Sequence, residues 1–251
     1  MELKGSAVSR LRIFASSVVL LAVWKTVSLI VARDIILPAP EAAFLYLAGL
    51  LDEAATWAAI GATLRRVVLS FLLNIAAATA TGVAAGFSVR FSDAVAPLIA
   101  IMKAVPTMGV ILLSLIWFSS ETAVVFVCTL IVFPLIYGAI VTGIRHLDRQ
   151  LLEMHRVFHI PAWKTLMKFV LPSLRPYLLS GVMSGLGLSM KVVIAAEVLS
   201  QPKVGIGTMF QVERSQLNTV GVFAWSILVI LLTAGMDAAF HGLKKRYGYK
   251  A

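Results

Sequence analysis

"TAVVFVCTLIVFPLIYGAIVTG", residues 122–143, carries no charged side chain. A helix needs about 20 predominantly apolar residues to cross the hydrocarbon core of a bilayer, and there every backbone amide must find its partner inside the protein. Glu121 closes this run on one side and Arg145 lies just beyond the other, so it reads as a membrane-spanning helix. The composition agrees. Of 251 residues 60% are hydrophobic and 14% charged, with mean hydropathy +0.94, whereas soluble domains carry about 25% charged residues.

Working outward, five more runs pass the same test: 13–32, 62–87, 94–118, 174–199 and 220–241. The expectation is an all-α polytopic membrane protein of about six transmembrane helices, residues 1–251 forming a single domain. Lys4, Arg10 and Arg12 precede the first run in the manner of a signal peptide, but the run is too long for one and no A-x-A pattern precedes Arg33, so an uncleaved anchor is expected. Run 62–87 is rich in alanine and glycine, which suits close helix contact in lipid. Run 94–118 contains Lys103, Pro106 and Gly109. Mid-span proline frees a backbone carbonyl, tolerated only where protein or water satisfies it, so this helix is expected to be broken or kinked.

The net charge of +10 and the pI near 10.1 do not indicate nucleic acid, because the cations gather at the ends of apolar runs without interleaved aromatics. They set topology instead. With the amino terminus inside, the inner segments hold Lys4, Arg10, Arg12, Arg90, Arg145, Arg149, Arg156, Lys164, Lys168, Arg175, Lys244, Lys245, Arg246 and Lys250, against Arg33, Arg65, Arg66, Lys203 and Arg214 outside. The positive-inside rule selects that orientation, with both termini cytoplasmic. Outside, residues 36–60 read as a helix lying across the membrane surface, and Gly205 and Gly207 mark turns in 201–219. Cys128 is the sole cysteine, so neither an intrachain disulfide nor a cysteine metal cluster is possible.

The inner segment 144–172 is too polar to span. Leu151, Met154 and Phe158 recur at helical spacing, with Arg149, Glu153 and Arg156 off that face. Pro161 cannot extend such a helix and biases Ile160 away from helical angles, so a turn is expected at 159–161 before a second helix, 162–170, reaches Leu171-Pro172. By composition this is either a basic amphipathic connector at the headgroups or a docking knob. His155 and His159 stand four apart, a zinc spacing, but Arg156 occupies the place where the metalloprotease pattern needs its glutamate; contact with a partner is the better reading. Lys103, Lys191 and Glu197 lie at membrane depth, where ionisable groups usually face the bundle interior or water. With Pro106 they are the candidate pathway residues, Glu197 alternatively pairing with a base; Lys25 and Asp237 are expected to be structural. No G-x-x-x-x-G-K-[ST] phosphate loop and no G-x-S-x-G elbow occur, so no catalytic, cofactor or metal site is expected.

Glu153, position 159, Phe169 and Leu171-Pro172 resemble the EAA loop of permease subunits of bacterial ATP-binding-cassette importers. "LPAP" at 37–40, "TLRRVVLSF" at 63–71, "AVPTMGVILLSLIWF" at 104–118, "FPLIYGAIVTGIRHLD" at 133–148, "SMKVVIAAEVL" at 189–199 and "GIGTMF" at 205–210 resemble, in order, the sulfonate, taurine, nitrate and thiamine-precursor branch. Met154 and His155 stand where that loop has alanines, and His159 where it has glycine, so the turn should be made differently, with Pro161 forcing the break.

The resemblance implies the type I importer permease fold in the inner membrane, working as a homodimer with an ATP-binding subunit dimer and an extracytoplasmic solute-binding protein. ATP and magnesium would be bound by the partner, and the solute would be a small anion or vitamin precursor. Leu151, Glu153, Met154, His155, Phe158, His159, Pro161, Leu171 and Pro172 would then couple ATP hydrolysis to alternating access. The rival is a self-contained channel or secondary carrier, disfavoured by the absence of evident inverted halves. A membrane-embedded enzyme lacks a paired acid and base.

Overall fold

The computed structural model describes residues 2–246. Its described elements are helices: α1 (Glu2–Val31), α2 (Pro40–Leu51), α3 (Ala54–Phe87), α4 (Val89–Ala104), α5 (Thr107–Trp117), α6 (Ser120–Arg145), α7 (Arg149–Val157), α8 (Ala162–Thr165), a π turn (Leu166–Val170), α9 (Leu171–Ser200), α10 (Ile206–Ser215) and α11 (Thr219–Arg246). Among the described residues four helical stretches are long and apolar enough to cross a membrane: Ala54–Phe87, Ser120–Arg145, Trp163–Ser200 and Thr219–Phe240.

Two differences from the expected six spans have physical causes. Run 94–118 is not one helix: α4 and α5 meet at 102°. Val105 is extended, and Pro106, which has no amide proton to continue the ladder, becomes the N-cap of α5. Counting that pair as one span gives five. The amino-terminal run lies in α1, whose apolar part among the described residues, Ala15–Val31, is shorter than the others. Lys250, counted above among the inner cations, lies outside the described residues.

The chain divides into two compact units. One comprises Met1–Ala59 and Met209–Leu232. In it Trp24 of α1 stacks on Phe223 of α11 at 5.5 Å and donates to the Pro38 carbonyl at 3.0 Å. Pro40 opens α2 at a position where a missing amide proton costs nothing. Lys25 pairs with Glu41, whose hydrogen bond from Lys25 holds its carboxyl below the usual carboxylate range. Lys25 is therefore structural, as expected. Glu213, nearly buried, accepts from the Tyr46 hydroxyl at 2.9 Å and from Asn218 Nδ2 at 2.7 Å. Burial, and then the Glu213 carboxylate, push the Tyr46 phenol above its ordinary range.

The other unit comprises Ile60–Thr208 and Thr233–Ala251. Its core lies between α6 and α9, where Val127, Cys128, Val132, Ile136 and Ile140 are buried together with Leu186, Met190 and Val193. Gly143 permits close approach, since a β-carbon there would stand 2.8 Å from Leu174 Cδ2 and Tyr177 Cγ.

Candidate functional site

The segment between α6 and α9 folds back on itself. α7 ends at Val157, and His159 then takes a left-handed φ of 51°. Ile160 N donates to His155 O at 3.0 Å and Phe158 N to Met154 O at 3.0 Å. The 160-to-155 bond is the long-range bond of a Schellman ending, with His159 in the position usually held by glycine. His159 thus adopts the glycine conformation itself, at a steric cost of about 1 to 2 kcal/mol. This corrects the expectation that Pro161 makes the turn differently: Pro161 follows the turn and starts the next helix, its carbonyl accepting from Lys164 N at 2.9 Å.

Leaving the helix at 159 also separates the two histidines. His155 is half-buried, with Nδ1 3.1 Å from Thr165 Oγ1 and its ring 5.3 Å from that of Phe169. It ties α7 to the returning helix. His159 is exposed, and among the described residues there is no group of three potential metal ligands. Leu151, Met154 and Phe158 are 39%, 42% and 72% exposed, with Glu153 also exposed beside them.

Leu171 and Pro172, both partly buried, do not start a separate helix. The π turn carries α8 into α9 with Leu171 N bonded to Leu166 O. A π turn is a rare, single-turn irregularity inside an α-helix; here it lies just before Pro172, which has no amide proton to give to the ladder.

A second constellation joins three motifs that the sequence leaves apart. Arg66 of α3, 2% exposed, bonds through Nη1 to Glu197 Oε1 of α9 at 2.5 Å, and through Nε and Nη2 to both carboxylate oxygens of Glu121 at 2.8 and 2.6 Å. Glu197 is completely buried and also accepts from Thr63 Oγ1 at 2.9 Å and Gly207 N at 2.9 Å. A β-carbon on Gly207 would stand 2.6 Å from both Ile194 O and Val198 N, so only glycine lets the chain after α9 come near enough to supply that amide. Arg65 and Arg66, counted above among the outer cations and within run 62–87, lie in α3, and Glu197 pairs with a base.

Among the remaining pathway candidates, Lys103 and Pro106 flank the α4–α5 elbow, both exposed, and Lys191 is exposed on α9 with its neighbours Val192 and Met190 buried. Nothing among the described contacts brings Lys191 to Lys103. The sequence missed Arg66 because its partners lie far along the chain; the joint recurrence of "TLRR", "AAE" and "GIG" was the available signal.

The sequence profile of the family described as binding-protein-dependent transport system inner membrane component matches residues 75–249. The chain belongs to this family. As such a permease it operates with solute-binding and ATP-hydrolysing partners in general terms. It is 27% identical over 230 residues to a Bacillus subtilis protein named provisionally as an aliphatic sulfonates transport permease, covering 91% of this chain and 83% of that one. To the taurine transport system permease protein of Escherichia coli it is 25% identical over 91% of this permease and 85% of the relative. To the bicarbonate transport system permease protein of Synechococcus elongatus it is 28% identical over 72% and 65%.

Proposed function

We propose that this permease forms the membrane path of an ATP-driven importer as a homodimer, and that residues 149–172 seat in a groove of an ATP-binding subunit on the cytoplasmic side. The permease itself binds no ATP. The observation that carries the reading is the exposed face of α7: Leu151, Met154 and Phe158 are apolar, outward and at helical spacing on a segment flanked by two spanning helices. An amphipathic helix offering anchors at that spacing is a common form of helix-in-groove recognition. Rigid-body motion needs a stiff connection, and the π turn makes the returning helix continuous with α9.

The solute is a small organic or inorganic anion. Relatives whose names give sulfonates, taurine and bicarbonate support this class. The test is affinity purification of the tagged chain from its host in mild detergent, comparing wild type with Glu153→Lys and Phe158→Ala. An ATP-binding subunit should accompany wild type and be depleted in both variants. Solute flux in proteoliposomes without ATP, together with no such partner, would instead establish a self-contained channel or carrier.

A further inference from the structure

One side chain of α3 is buried against the logic of a membrane interior. Asn74 is completely buried, and among the described residues its Nδ2 and Oδ1 are the buried side-chain polar atoms that have no hydrogen-bond partner. It lies well inside the span Ala54–Phe87, on the helix face that also buries Val67, Ser70, Phe71, Ala78 and Ala85.

That face is closely packed. Phe71 reaches α9, since a β-carbon on Gly185 would stand 3.5 Å from Phe71 Cε2 and 3.2 Å from Ile136 Cδ1 of α6. Two turns inward of Asn74, a β-carbon on Gly82 would stand 3.0 Å from Ile140 Cγ2. The hydroxyls of this region, Ser70 and Ser189, give their protons to their own helices, at Arg66 O (2.8 Å) and Gly185 O (2.7 Å). Neither amide atom of Asn74 presents surface that water can reach. An amide needs an acceptor for its nitrogen and a donor for its oxygen. An ion of either sign would serve one atom and repel the other, whereas water serves both. Buried unmet, the amide destabilises the packing that encloses it, and a leucine of the same branched outline would not.

The two ends of the contact differ in kind. Outward, about 12 Å along the axis, Arg66 bonds to Glu121 of α6 and Glu197 of α9. Inward, Gly82 and Gly86 pack on Ile140 and Ile144, and among the described residues no side-chain hydrogen bond joins α3 to α6 or α9 inward of Asn74. The outer end is anchored by charge, the inner end by apolar packing.

We propose that Asn74 makes this contact separable: α3 inward of Arg66 parts from α6 and α9 about the Arg66 anchor, and the amide takes up water when it does. Its use in a transport cycle rests on the importer reading above; the packing bias does not.

The experiment uses the purified full-length chain in phosphatidylcholine nanodiscs. Cys128 is buried at the same contact, its Sγ 4.0 Å from Ser189 O, so its reaction with a small membrane-permeant methanethiosulfonate, followed by mass spectrometry, reports opening. Asn74→Leu should slow that reaction about fivefold or more and raise the melting temperature by several degrees. Asn74→Val, smaller, repeats the test without overpacking. Spin labels at the exposed positions Ala84 and Arg175, in a Cys128→Ser background, should show a longer-distance population that Asn74→Leu removes. The proposal is overturned if wild-type Cys128 never reacts, if neither variant slows the reaction and raises the melting temperature, or if the distance distribution is the same with asparagine and leucine. Copurification of the ATP-binding subunit should be unaffected by either variant; its absence from wild type would remove the importer reading while leaving these measurements standing.

Discussion

His159 shows how a residue can occupy a conformation that its side chain disfavours. Histidine enters the left-handed region more readily than most residues, and the two hydrogen bonds that close α7 hold it there. His159→Gly should relieve about 1 kcal/mol of strain and raise the melting temperature measured by scanning fluorimetry in detergent. His159→Val, β-branched and intolerant of positive φ, should lower it. Arg66 presents the opposite case, a side chain whose charge is tolerable only because of its partners. Removing one member of a buried ion pair leaves the other unpaired, so Arg66→Met should cost about 3 to 5 kcal/mol. Arg66→Met combined with Glu197→Met should recover part of that loss in the same assay, and an additive loss would show that the pair is not coupled. Gly207→Ala should destabilise as well, because its methyl would meet the Ile194 carbonyl and the Val198 amide.

Among the elements, the α4–α5 elbow and the α6–α9 contact pull in different directions. The elbow exists because Pro106 lacks a proton and Val105 is extended. Pro106→Leu should let the helix continue and reduce the 102° bend, read as a lengthened distance between spin labels placed on α4 and α5. An unchanged distance would show that tertiary packing, not the proline, sets the angle. The α6–α9 contact depends on close approach. Gly143→Val should force Leu174 and Tyr177 aside and lower the yield of monodisperse protein, since small residues supply much of the packing between helices in lipid.

For the molecule as a whole, the charge distribution predicts sidedness. Cys128 is buried, so single cysteines report cleanly. Lys203→Cys should react with a membrane-impermeant maleimide from outside intact cells and Gln150→Cys only once the inner face is opened; the reverse pattern would invert the orientation. The sequence by itself determined the solvent, the helical class and the place of the projecting segment. Runs such as 122–143 are apolar all round, and transfer to lipid depends on local composition. It also marked Pro106 as a break, because a missing amide proton is a property of one residue. Only the tertiary structure decided that Arg66, Glu121, Glu197 and Gly207 form one cluster, that His155 faces inward to Thr165, and that the Asn74 amide is buried without a partner. Hydrogen bonding and ion pairing act over about 3 Å, and which groups come that close is fixed by the packing of helices distant in sequence, to which the local pattern around each residue is blind.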